Sequence, residues 1–115
     1  MTGTSDPLLE ARALVLHDLG VCGADTALTI SLVEDALAGR RWWLDAWPEG
    51  AAYIPGLIAQ DVQEALLEHV GRWPACPRHR DPDEAHELYV EPALGADPHW
   101  VCEKDGRAVA PVGGL

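Results

Sequence analysis

The sequence changes texture between Gly71 and Pro74, and this break limits the folds open to it more than any other feature. On its N-terminal side, apolar residues recur at helical spacing between recognisable start and stop signals. On its C-terminal side those stretches vanish, and short runs rich in β-formers alternate with Pro, Gly and Asp. The division predicts an α+β fold: three helices over 6–71, packed on a small three-stranded β unit over 72–115, within one domain of 115 residues.

The boundaries follow from local chemistry. Asp6-Pro7 is a helix entrance, because Asp accepts a backbone N–H and Pro tolerates the first helical position. A helix over about 7–19 is predicted, with Leu9, Ala13, Leu16 and Gly20 at helical spacing and Gly20 as its stop. The second starts near Asp25-Thr26, carries Ile30, Val33 and Leu37 on one stripe, and ends at a Gly39 C-cap. Arg40 to Pro48 then reads as a helical turn and loop, with Arg40 and Arg41 answering the helix dipole. The third runs from about Pro55-Gly56 to His69 or Val70, and Ile58, Val62, Ala65, Leu66 and His69 form its apolar face. His86 to Val90, Trp100 to Cys102 and Ala108 to Val112 are the predicted strands. His17 and His69 read as packing histidines.

Charge narrows the partners. Eight Lys and Arg stand against nineteen Asp and Glu, a net charge of -11. Such a field repels a phosphate backbone and an anionic membrane surface, so the expected partner is a protein, with self-association left open. A nucleic-acid reading would need a local basic face made by Arg78, Arg80, Lys104 and Arg107. The sequence has no apolar run of about 18 residues, and Met1 to Asp6 lack the basic-then-apolar pattern of a signal peptide, so a cytoplasmic location is expected.

Three cysteines argue against a disulfide framework. Cys22, in a Gly-rich helix junction, reads as a small buried hydrophobe. Cys76 and Cys102 carry the chemistry. Cys76-Pro77-Arg78-His79 is followed, after 22 residues, by Cys102-Glu103-Lys104-Asp105-Gly106. Each loop offers a ligand, two spacers and a second ligand, so each can pinch one edge of a tetrahedron, the geometry zinc requires. Pro77 fixes one turn, and Gly106 supplies the positive φ that the other needs.

On these motifs, the stretch from about 73 to 112 resembles a zinc ribbon, in which two knuckles at the ends of β-hairpins clamp one metal. The family's usual knuckle is Cys-Pro-x-Cys-Gly, and the resemblance puts His79 and Asp105 in the second-ligand places. It implies a zinc site of Cys76, His79, Cys102 and Asp105, with His99, His86 or water as alternatives for the fourth position. Trp73 and Trp100, each within three residues of a ligand, are expected to shield the ion. The resemblance predicts a metal and a local fold, and it carries no activity.

Signatures of catalysis are missing from the sequence: there is no H-E-x-x-H, no H-x-E with P-C-x-x-C, no G-x-S-x-G and no Walker A loop. The favoured reading is therefore a small acidic protein with structural zinc that acts as a protein-interaction adaptor or regulator. The alternative is a small zinc- or thiol-dependent enzyme, with Glu84, Glu87 or Glu103 as its base. Most of the five tryptophans read as core in a chain without phenylalanine. Adjacent Trp42 and Trp43 differ, because on a helix they point about 100° apart and one ring is left at the surface.

Overall fold

The computed structural model describes residues 6–79, 81 and 83–115. Residues 1–5, Arg80 and Pro82 lie outside it, and with them the leader reading and one member of the basic face. Three α-helices, α1 (Pro7–Val21), α2 (Ala27–Ala46) and α3 (Ile54–His69), precede three strands, β1 (Tyr89–Glu91), β2 (His99–Val101) and β3 (Ala108–Pro111). A 3-10 helix, Pro48–Tyr53, links α2 to α3. The strands form one antiparallel sheet in the order β1-β2-β3, with Val90 opposite Trp100 and Trp100 opposite Ala110. The α+β architecture is thus the one the texture break predicts.

Helix starts follow the local chemistry. The Asp6 carboxylate accepts from the Leu8 N–H at 3.0 Å, with Pro7 in the first turn. Thr26 and Thr29 exchange side-chain and backbone bonds in a capping box at the start of α2. The end of α2 is a correction. The helix does not stop at Gly39 but continues to Ala46, so Arg40 and Arg41 lie in its interior and pair with Asp61 and Asp6. A mid-helix glycine costs only about 1 kcal/mol, and packing of Trp43 and Leu44 against the core outweighs it.

The buried face of α1 is a second correction. Leu8, Ala11, Val15, Asp18 and Leu19 face inward, while Leu9, Ala13 and Gly20 of the predicted stripe are exposed. Both stripes are apolar, and periodicity favours the one without a charge. The chosen stripe contains Asp18, fully buried, whose carboxylate accepts from the Trp100 indole at 2.7 Å and from the backbone N–H groups of Gly113 at 2.6 Å and Leu115 at 3.0 Å. Its remaining neighbour is His17 Nδ1 at 3.0 Å, so His17 is an exposed partner of Asp18 and not a packing residue. His69 is likewise exposed.

Helix α3 sits at the centre, against α1, α2 and β1. The core runs without a break from Leu8, Val33 and Ile58 through Trp73 and Trp100 to Cys76, Leu88 and Cys102. Trp73 and Trp100 meet edge to face at 5.3 Å between ring centres. Gln63 on α3 ties this junction with two bonds, from its amide to the carbonyls of Trp73 at 3.0 Å and Leu88 at 2.7 Å.

At the far end of α2, Trp43 and Trp47 pack edge to face at 5.2 Å around Gly50. A Cβ on Gly50 would lie 2.7 Å from the Trp47 ring and closer still to Trp43. Gly50→Ala is therefore expected to destabilise the protein by about 1–3 kcal/mol through overpacking, with a change in tryptophan fluorescence. Thermal melting and emission spectra check this. Among the described residues, no helix is long and apolar enough to cross a membrane.

Candidate metal centre

Two backbone features bring the chemical side chains together. The first is a short antiparallel pairing ahead of the sheet: the Cys76 N–H donates to the His86 carbonyl at 2.9 Å, the Leu88 N–H to the Pro74 carbonyl at 2.8 Å, and Ala75 bridges Glu87. It lays His86 alongside Cys76. The second is the tight turn after β2, where the Gly106 N–H reaches the Cys102 carbonyl at 2.8 Å and the Cys102 N–H reaches the Arg107 carbonyl at 3.0 Å. Gly106 adopts φ 71°, the left-handed conformation that the sequence expected there.

The result is a cluster of four: the ligand atoms of Cys76, His79, His86 and Cys102 all lie within 4.8 Å of one another. His79 Nδ1 stands 3.5 Å from Cys76 Sγ and 3.4 Å from Cys102 Sγ, and His86 Nε2 stands 3.3 Å from Cys102 Sγ. Zinc–sulfur and zinc–nitrogen bonds of about 2.3 and 2.05 Å put the S···N edge of a tetrahedron at about 3.5 Å. The spacing fits an ion at the centre. Three members are buried and His79 is half-buried, so the donors are screened from water by the core around Trp73 and Trp100.

Hydrogen bonding prepares the donors. His86 Nδ1–H donates to the Glu84 carbonyl at 2.7 Å, which leaves the Nε2 lone pair turned toward Cys102. The Glu84 carbonyl and the Cys102 sulfur together raise the His86 pKa above the ordinary imidazole value. Burial pushes the Cys102 thiol up, but the N–H groups of Asp105 and Lys104 and the His86 ring outweigh it, and the net shift is downward. A depressed thiol favours the thiolate that a metal needs.

Cys76, His79 and Cys102, expected from the two knuckles, are brought together, and the fourth donor of the cluster is His86. Asp105 is not part of it. Its carboxylate accepts from the Arg107 N–H at 2.9 Å, closing an Asx turn, and meets Arg78 at 2.9 Å. The Arg107 N–H, above all, and the Arg78 charge hold this carboxyl below the usual carboxylate range, against a smaller opposing effect of burial. Asp105 thus shapes the knuckle and supplies a backbone donor to the sulfur. His99, the other histidine alternative, lies on β2 and donates from Nδ1 to the Asp97 carbonyl at 2.7 Å, outside the cluster.

The substitution of His86 for Asp105 changes the electrostatics. Two thiolates and two neutral imidazoles balance a divalent ion, whereas the knuckle-based set leaves one excess negative charge. A neutral site is the cheaper one to bury. The sequence signal is a histidine seven residues beyond the His79 of Cys76-x-x-His79, but only the Cys76–His86 pairing gives that spacing meaning. Cys22 is exposed and remote in role, against the expectation that it is buried.

Residues 4–112 match the model of a protein family described as a domain of unknown function, DUF8819. Neither the curated proteins nor the solved structures yield a match.

Proposed function

We propose, from the premise that the chain belongs to the DUF8819 family and takes no assigned function from it, that it is a small zinc protein whose metal is structural and whose role is to bind another protein. The observation that carries the metal half is the cluster of four converging donors, Cys76, His79, His86 and Cys102. Two thiolates and two imidazoles at tetrahedral spacing suit zinc, a borderline-soft ion with no geometric demand of its own. Four protein donors complete the tetrahedron, and a catalytic zinc keeps one position open. That favours the structural reading over the zinc-enzyme alternative, and metal-held thiolates are not free nucleophiles.

The interaction half is supported by the surface. Trp42 is 74% exposed on α2, in a chain of net charge -11. Exposed tryptophan is a common anchor of protein interfaces.

Elemental analysis of the purified chain is expected to give one zinc per molecule. His86→Ala should lose the metal or bind it at least about 10-fold more weakly, while Asp105→Asn should keep full occupancy. A metal-free wild-type protein prepared without chelators would sink the zinc reading. Full occupancy in His86→Ala with loss in Asp105→Asn would restore the knuckle-based ligand set.

A further inference from the structure

Helices α2 and α3 are joined by packing on one side and parted on the other by a groove of about 580 Å³. Its lining repeats at helical spacing on both walls. On α2 it takes Leu32, Ala36, Gly39 and Trp43, and on α3 it takes Asp61, Glu64, Ala65 and Glu68. Ala36, Gly39 and Ala65 are small, so they hold the helices' shared surface open.

Gly39 is informative because nothing inside the chain requires it. It sits in the interior of a helix, where glycine costs about 1 kcal/mol relative to alanine, and a Cβ placed on it would meet no atom within 4 Å. The space above it is open groove.

The chemistry of the walls selects the occupant. Asp61 is engaged by Arg40, whose Nε and Nη2 reach its two oxygens at 2.7 and 3.0 Å. The same guanidinium lies 5.6 Å from the centre of the Trp43 ring. One arginine of the chain is thus already held between a carboxylate and an indole at the groove's edge. Asp35, Glu64 and Glu68 line the same groove, are exposed, and form no ion pair among the described residues. Trp42, 74% exposed, stands at the rim. Three carboxylates without an ion-pair partner among the described residues, of which Glu64 feels Arg40 only at longer range, and an exposed indole repeat the ingredients that hold Arg40.

We propose that this groove docks an arginine-bearing segment of a partner protein, with a partner guanidinium stacked on Trp42 and paired with Glu64, Glu68 or Asp35. Arginine fits better than lysine because its planar fork both stacks on an aromatic face and pairs with carboxylates. The inference rests on the interaction reading above and names its surface.

The test uses the zinc-loaded full chain and a synthetic 12-residue peptide carrying arginine at every third or fourth position, with the citrulline-for-arginine peptide as its neutral isostere. Amide chemical shifts should move mainly over residues 35–43 and 61–69 with the arginine peptide and stay still with the citrulline peptide. Glu64→Gln with Glu68→Gln should weaken binding about fivefold, the size expected for two exposed ion pairs, and Gly39→Leu should block it by filling the groove. Zinc content and helical circular dichroism verify each variant; if Gly39→Leu misfolds, the double glutamine variant decides. No binding, equal binding of the citrulline peptide, undiminished binding by the double variant, or shifts spread over all acidic faces would each overturn the groove. A cross-linking arm in cells separates this from the broader reading. A partner held equally by wild type and both groove variants removes the groove and leaves the interaction role standing, whereas no partner at all, with no peptide binding, removes both.

Discussion

Stripping the metal from the loaded protein is expected to lower its melting temperature by about 15 °C or more, because structural zinc contributes several kcal/mol and each is worth roughly 4 °C at this chain length. The size follows from what the ion holds. Cys76 and His79 precede the sheet, His86 leads into β1 and Cys102 follows β2, so an ion held by all four would fix three separate segments. The strands are only three or four residues long and cannot hold themselves together. Without the metal, two thiols and two imidazoles would be left crowded in or beside the core.

The loss should be uneven. Far-ultraviolet circular dichroism, dominated by α1, α2 and α3, should change little at low temperature, while the near-ultraviolet tryptophan signal of Trp73 and Trp100 should collapse. Cys102→Ser should reproduce both effects. Unchanged melting and an unchanged tryptophan signal, in protein shown by elemental assay to have lost its metal, would count against a structural role.

The second large effect concerns Asp18. Asp18→Ala should destabilise the protein by about 3–5 kcal/mol, and Asp18→Asn by about half that. Removing the carboxylate strands the Trp100 indole N–H and the backbone N–H groups of Gly113 and Leu115, all of which now donate to it. The asparagine keeps the shape and one acceptor oxygen but turns an amide NH₂ toward a remaining donor. Because the carboxylate joins α1 to β2 and to the segment after β3, the damage should spread to the C-terminal residues. Hydrogen exchange reads this directly: the Gly113 and Leu115 amides should become fast in Asp18→Ala. Melting within about 1 kcal/mol of wild type, with both amides still protected, would refute the assignment.

The two sites explain where sequence reading succeeds and where it stops. Asp6-Pro7, Thr26 and the Gly106 turn were legible because a cap or a positive φ depends on a few adjacent residues. So were Cys76, His79 and Cys102, each placed by a local knuckle. Local spacing offers His86 only as an alternative, since its approach to Cys76 is made by backbone pairing across nine intervening residues. Asp105 shows the other side of local reading. It keeps its knuckle position beside Cys102, but its carboxylate accepts from the Arg107 N–H and meets Arg78, and it lies outside the group of four converging donors.

The amino-acid order alone determined the division into helical and β parts, the helix starts, the strong negative charge and three of the four clustered donors, since each depends on short-range spacing or on a sum over residues. Tertiary structure decided the rest. It chose the inward face of α1 by giving buried Asp18 three donors from distant residues, carried α2 past Gly39 by packing Trp43 and Leu44, and brought His86 beside Cys76, His79 and Cys102. In each case a charge or a glycine that looks unfavourable locally is offset by partners far along the chain, and burial energy is settled only when those partners meet.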